Sequence, residues 1–262
     1  MSPHNLADFE TDHDLARDQY ESRLEALQHR LELIQAAYIA QGLKGIVAIE
    51  GWDAAGKGGL VTRMNATLDP RYCKVWPIAA PSKEEAARHY LWRFWQRLPG
   101  NREIAVFDRT WYGRVLVERV DGFTPEPRWR AAYDEINAFE AQLQADGVRL
   151  VKIFLHITQE EQDKRLEERI RTPWKRWKTG ADDYHNRSMR SAYVTAYEDM
   201  FRRCSPPSAP WHVVAANDKK WARVRSLELI CEALGDGVDL SWPAPDPDLV
   251  KLAEKALGKK LV

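Results

Sequence analysis

The sequence predicts an α/β fold, a three-layer sandwich around a parallel five-stranded sheet. Three observations point there. Five short, β-branched or apolar runs recur along the chain: "GIVAIE" (45–50), "CKVWPI" (73–78), "EIAVFD" (103–108), "RLVKIFLHI" (149–157) and "WHVVAA" (211–216). Most are too continuously apolar for a half-solvated strand, which fits parallel strands covered on both faces. Helical patterns alternate with them, the order expected of a doubly wound sheet.

Taken in order, the N-terminal "MSPHNLADFETDHD" is polar and acidic, unlike a signal peptide. A helix follows over about 12–41. Its Leu24, Leu27, Leu31, Ile34 and Tyr38 recur at spacings of three and four and so share one face, to be covered by the domain or by a partner. After the first strand comes a glycine-rich loop, and after the second comes "SKEEAARHYLWRFWQRL". This reads as one helix opened by a capping box from Ser82 to Glu85, with Ala86, Tyr90 and Phe94 along one side. "PRWRAAYDEINAFEAQLQADG" is an amphipathic helix ending at Gly147. A very basic segment joins the fourth and fifth strands, and the last twenty residues read as a Pro-rich turn and a short basic helix.

Bulk properties narrow the function. The chain of 262 residues is 44% hydrophobic and carries 39 basic and 39 acidic residues, so any polyanion site must arise from local segregation of charge. Cys73, Cys204 and Cys231 show no metal-site spacing, and three cysteines cannot all pair; buried thiols in a reducing compartment are expected. No apolar run approaches the roughly 20 residues that cross a bilayer. The expectation is a cytoplasmic protein of one domain, 1–262.

The loop "IEGWDAAGKGGL" (49–60) matches Gly-x-x-x-x-Gly-Lys through Gly51, Gly56 and Lys57, between a strand and a helix. Backbone N–H groups of Ala54, Ala55, Gly56, Gly58 and Gly59 are the candidates to cradle phosphate at the helix N-terminus, with Lys57 supplying mobile positive charge. The Ser or Thr that ordinarily follows the lysine and ligates magnesium is Gly58 here. Asp53 lies inside the loop instead, where a carboxylate among phosphates is repulsive unless a cation lies between them. Asp108, ending the third strand in "AVFDRTWYGR", is the second candidate ligand, so the metal would rest on Asp53 and Asp108. Arg109 and Arg114 follow at the same edge, either to neutralise phosphoryl oxygens or to pair with Glu118 or Asp121 in a surface network.

"KRLEERIRTPWKRWKTG" (164–180) concentrates Lys164, Arg165, Arg169, Arg171, Lys175, Arg176 and Lys178. It is either a solvated helix face or a local polyanion track; Pro173 should break the helix and free Trp174 and Trp177 to cover a site. His89, His156, His185 and His212 have no metal partners at ligand spacing and read as structural.

Together "GWDAAGKGG", "FDRTWYGRVLVERVDGF", "RTPWKRWK" and "APWHVVAANDKKWARV" resemble the polyphosphate kinase 2 family, from about residue 45 to 234. The resemblance implies a P-loop kinase-like sandwich with a helical lid, about 160–203, besides the extra N-terminal helix. It implies transfer of phosphoryl groups between inorganic polyphosphate and adenine (or guanine) nucleotides, AMP to ADP or ADP to ATP, with magnesium or manganese. Carried over by motif, Asp53, Lys57, Asp108 and Arg109 match functional positions. Arg169 is the best match to the lid arginine, with Arg165 as the alternative, and Lys175 joins the phosphate-binding set. "WYGRVLVERVDGF" is closer to members that phosphorylate AMP, whereas Thr172 departs from the acidic residue more often found before the proline. A dimer or tetramer is expected, with neither nucleic acid nor membrane as partner. The rival readings are an ATP-dependent nucleotide kinase of the same fold and a polyanion-binding module with the Arg/Trp segment stacking on bases.

Overall fold

The structure is a computed structural model that describes residues 5–242 and 244–261. After a 3₁₀ turn at Leu6–Phe9 come α1 (Arg17–Gln41), β1 (Lys44–Gly51), α2 (Lys57–Asn65) and β2 (Cys73–Pro77). Next are α3 (Lys83–Ala86), α4 (Trp92–Trp95), β3 (Ile104–Asp108), a 3₁₀ turn at Trp111–Arg114, α5 (Val117–Val120) and α6 (Glu126–Ala145). Then follow β4 (Val148–His156), α7 (Gln159–Arg171), a 3₁₀ turn at Pro173–Lys178, α8 (Ala181–Ser188) and α9 (Arg190–Arg203). β5 (Trp211–Ala215), α10 (Lys219–Gly235) and α11 (Pro247–Leu257) complete the chain.

All five strands fall where the apolar runs predict them, and every pairing is parallel, in the order β2-β3-β1-β4-β5. β1 is buried from Gly45 onward, and β4 is buried except at Arg149. From β1 the chain passes outward to β2, returns to β3, then crosses to β4. The C-terminal edge of β1 therefore borders a crevice where the order reverses, the usual ligand position in such sheets.

The stripe on α1 is covered within the chain. Leu31, Ile34 and Tyr38 are buried against the core, Leu24 and Leu27 pack on it, and the Tyr38 hydroxyl donates to the Leu234 carbonyl of α10 at 2.9 Å. The expected helix over 82–98 is not continuous. Its capping box at Ser82 and Glu85 forms, but the helix stops at Ala86 and resumes only at Trp92. His89 Nδ1 accepts from the Leu91 N–H at 3.3 Å, so a side chain takes a donor the helix would have used. Tyr90, Leu91 and Phe94 turn into the core while Ala86 stays exposed, a burial that outweighs helical continuity. The three cysteines are buried and unpaired, as expected. Among the described residues no helix is long and apolar enough to cross a membrane.

Candidate active site

The loop after β1 has its shape fixed by backbone contacts. Gly51 sits at φ +143°, where an added Cβ would lie 2.4 Å from the Leu155 carbonyl oxygen, so only glycine lets β1 leave the sheet this close to β4. Ala54 (φ 66°) and Gly56 (φ 115°) adopt left-handed conformations that turn the chain into α2. Lys57 opens α2 and folds back, its Nζ donating to the carbonyls of Gly51 at 2.6 Å and Trp52 at 3.0 Å.

Asp108 lies opposite Ile49 of β1 and Pro77 of β2, at the same sheet edge as the loop. Arg109 follows in a left-handed conformation (φ 65°), costly for a residue with a Cβ and characteristic of functional turns. Its Nη2 donates to Asp53 Oδ1 at 3.0 Å, while Asn186 Nδ2 of α8 donates to Asp53 Oδ2 at 2.8 Å. Burial works to raise the Asp53 pKa. The charges of Lys57 and Arg109, with the hydrogen bonds from Asn186 and Arg109, outweigh it and hold this carboxyl below the usual range. Glu50, buried one turn of chain earlier, shows the opposite balance: burial pushes its carboxyl up, against hydrogen bonds from Thr110 and the charges of Lys57 and Arg109. It accepts from the Thr110 N–H at 2.8 Å and hydroxyl at 2.7 Å, clamping the residue after Arg109.

The next turn is anchored from below. Trp111 Nε1 and the Tyr112 hydroxyl donate to Glu140 Oε1 at 3.0 and 2.7 Å, and Lys152 Nζ donates to Glu140 Oε2 at 2.7 Å and to the Cys204 carbonyl at 2.8 Å. This ion pair is fully buried and every charge is matched, the condition under which such a network rigidifies its surroundings.

Asp53, Ala54, Ala55, Gly56, Lys57, Gly58, Gly59, Asp108, Arg109, Arg169 and Lys175 line one cavity of about 820 Å³. Arg169 Nη1 donates to the Lys178 carbonyl at 2.8 Å and Lys175 pairs with Glu168. Pro173 does end α7, and Trp174 and Trp177 stand 75% and 79% exposed, Trp177 at the cavity wall. Lys178, Lys219 and Arg223 extend the basic lining, so that Lys and Arg outnumber Asp53, Asp108 and Asp183 there. The neutral chain thus segregates its charge locally. Lys219 and Arg223 were not singled out from sequence, although their spacing of four at the start of a helix in "DKKWARVR" is a usable signal.

Two candidate arginines are engaged by the protein itself. Arg165 borders the cavity but its guanidinium is engaged throughout. Nε donates to Glu161 at 2.7 Å, Nη1 to the carbonyls of Ala54 and Ala55 at 3.1 and 3.0 Å, and Nη2 to those of Ala216 and Asn217, both at 2.8 Å. Five donors meet five acceptors, so in this arrangement Arg165 braces the loop. Arg114 does not line the cavity: it pairs with Glu118 at 2.8 Å, donates to Thr124 and stacks 4.4 Å from the Tyr90 ring centroid. The local-network alternative holds for this residue.

Magnesium is commonly held by one or two carboxylates together with phosphate oxygens and water. Asp53 and Asp108 facing one basic cavity fit that donor set, and among the described residues no group of three or more Asp, Glu, His or Cys forms a protein-only metal cage. The hydroxyl of α2, Thr62, is turned onto the Gly58 carbonyl at 2.8 Å and does not replace the missing ligand.

The chain spans less than half the length of the first curated relatives it matches. It is 47% identical over 222 residues to the polyphosphate:AMP phosphotransferase of Pseudomonas aeruginosa, covering 84% of this chain and 44% of that protein. Its identity to the protein of the same name from Pseudomonas syringae is 46% over 220 residues, with the same coverage. The crystal structure of polyphosphate kinase 2 from Arthrobacter aurescens TC1 superposes with a TM-score of 0.85 at 35% identity, covering 94% of this chain and 88% of that one. The polyphosphate kinase 2 family model matches residues 14–238. With glycine loop, strand-end aspartate and basic segment converging on one cavity, the chain belongs to the polyphosphate kinase 2 family.

Proposed function

We propose that this chain transfers phosphoryl groups from inorganic polyphosphate to a nucleotide, with AMP as the preferred acceptor and magnesium as cofactor. The observation that carries the reading is the pairing of a phosphate loop having an internal carboxylate, Asp53, with a cavity lined by Lys57, Arg109, Arg169, Lys175, Lys178, Lys219 and Arg223. A polyphosphate chain needs a continuous basic track and no base pocket, and this lining supplies one. The AMP preference is supported by relatives at 46% and 47% identity that are named polyphosphate:AMP phosphotransferases.

Asp53 and Asp108 would hold the magnesium, which when bound would supply neutralisation of phosphate charge. Lys57 exchanges its two loop carbonyls for oxygens of the phosphoryl group in transfer, and Arg109, half-exposed toward the cavity, stabilises charge on that group. No protein base is required, because the acceptor oxygen of a nucleotide phosphate is already anionic. The segment α7–α9 serves as a lid, with Arg169 and Lys175 presented on its inner side. Excluding water there favours transfer to the nucleotide over hydrolysis.

Purified protein given long-chain polyphosphate, AMP and magnesium should form ADP, faster than it forms ATP from ADP, and chelation of the metal should stop both. Formation of neither product would overturn the reading; ATP from ADP alone would overturn the acceptor assignment.

A further inference from the structure

We propose that Asn186 is a positioning residue through which the lid sets the orientation of the Asp53 carboxylate. The inference rests on the reading of Asp53 as a cation-holding carboxylate and names what controls it. Besides local bonds such as those from the Gly180 N–H and the Thr179 hydroxyl to Asp183, α8 pairs outward through His185 with Asp121 at 3.0 Å and through Arg187 with Asp163 at 2.7 and 2.6 Å, none of which touches the phosphate loop. Asn186 instead reaches across the chain to the phosphate loop, donating to Asp53 Oδ2 at 2.8 Å. Its own amide is oriented by the buried Tyr193, whose hydroxyl donates to Asn186 Oδ1 at 3.2 Å. The order Tyr193 to Asn186 to Asp53 therefore has one consistent direction of donation, ending on the carboxylate.

The second torsion of an Asp side chain has a broad energy well. Held by Arg109 at Oδ1 alone, the Asp53 carboxylate would pivot about that single bond; with Asn186 on Oδ2 both oxygens are fixed. A second chain of bonds steadies the main chain at the same residue. Arg190 Nη1 donates to Gln162 Oε1 at 2.9 Å, and Gln162 Nε2 donates to the Asp53 carbonyl at 3.1 Å. The choice of side chain is chemically apt. An amide donates without adding charge, whereas a lysine would compete with the cation and a carboxylate would repel Asp53 until a cation arrived. Opening of α8 removes the Asn186 bond and frees the carboxylate; closing restores it, so that metal affinity and lid position become linked.

The test compares Asn186→Ala, Tyr193→Phe, their double variant and Asp53→Asn, each shown to fold by thermal melting. The readouts are deuterium uptake of residues 181–193 and turnover as a function of magnesium. For Asn186→Ala, loss of one hydrogen bond to a charged acceptor should weaken apparent magnesium affinity about tenfold. The turnover number at saturating magnesium should stay within about threefold, the signature of a lost ground-state contact. Deuterium uptake should rise. Tyr193→Phe should shift both readouts less and in the same direction, and the double variant should match Asn186→Ala. Unchanged uptake, or a fall in turnover at unaltered magnesium dependence, would overturn the proposal. Asp53→Asn with full turnover would instead overturn the underlying reading of Asp53; an inactive Asp53→Asn beside an unaltered Asn186→Ala would remove the positioning role alone.

Discussion

Replacing Arg165 by Met separates a brace from a catalytic contact. Methionine keeps much of the apolar stem of this side chain, which is 4% exposed, and removes the guanidinium bonded to four main-chain carbonyls and Glu161. Ala54 and Ala55 belong to the phosphate loop and Ala216 and Asn217 to the segment just after β5, so one side chain ties two loops across the sheet edge. Removing it strands those carbonyls and leaves Glu161 with Lys164 at 3.2 Å as its remaining ion pair. Breaking a buried charged partner costs about 3–5 kcal/mol, the upper end applying where several acceptors are stranded. For a chain of this size that corresponds to roughly 5–9 °C in melting temperature. Thermal and urea denaturation measure it directly. Arg165→Lys should recover only part, since an ammonium cannot serve five acceptors in a fork. A variant with wild-type melting temperature but strongly reduced turnover would refute this and return Arg165 to the phosphate-binding role.

Asp108→Asn should fold normally and lower turnover at least about 100-fold, as expected when a charge-stabilising group is lost; full activity would remove Asp108 from the site. Gly51→Ala should destabilise by at least about 3 kcal/mol, because the new Cβ meets the Leu155 carbonyl at 2.4 Å in a backbone conformation that disfavours side chains; urea denaturation reads this, and a neutral result would contradict the tight passage under the loop. The buried His156, accepting from Trp52 Nε1 at 2.9 Å, has its pKa pushed down to about 4, by burial first and Arg190 second. A depressed pKa means the unfolded chain binds the proton more tightly, so this stabilisation is complete above about pH 6.5 and is lost as pH falls toward 4. An NMR titration showing ordinary behaviour near 6.5 would contradict the buried Trp52–His156 contact.

Much of this molecule was legible because its elements obey local rules. The five strands are read from continuous apolar runs, since a parallel sheet buries both faces, and Asp53, Lys57, Asp108 and Arg109 converge because the loop and strand end share a sheet edge. The broken helix at 82–98 was not legible: its periodicity is real, but the burial of Tyr90, Leu91 and Phe94 is decided by partners elsewhere in the chain. Arg165 and Arg169 share a helix face and look equivalent in sequence. Only the fold reveals that one meets carbonyls of the phosphate loop and of the segment after β5 while the other meets the Lys178 carbonyl at the cavity. Glu50 and Asn186 carried no motif signal, since a carboxylate inside a strand and an amide within a short helix of mixed charge gain meaning from what they face.

The central claim is that the basic cavity takes polyphosphate as the phosphoryl donor. It is tested most directly by supplying AMP and magnesium with either long-chain polyphosphate or ATP and measuring ADP by chromatography. ADP should form from AMP with polyphosphate, and no AMP-dependent ADP should form with ATP. ADP formed from ATP alone would contradict it and make the lining of Lys175, Lys178, Lys219 and Arg223 a nucleotide-phosphate site instead.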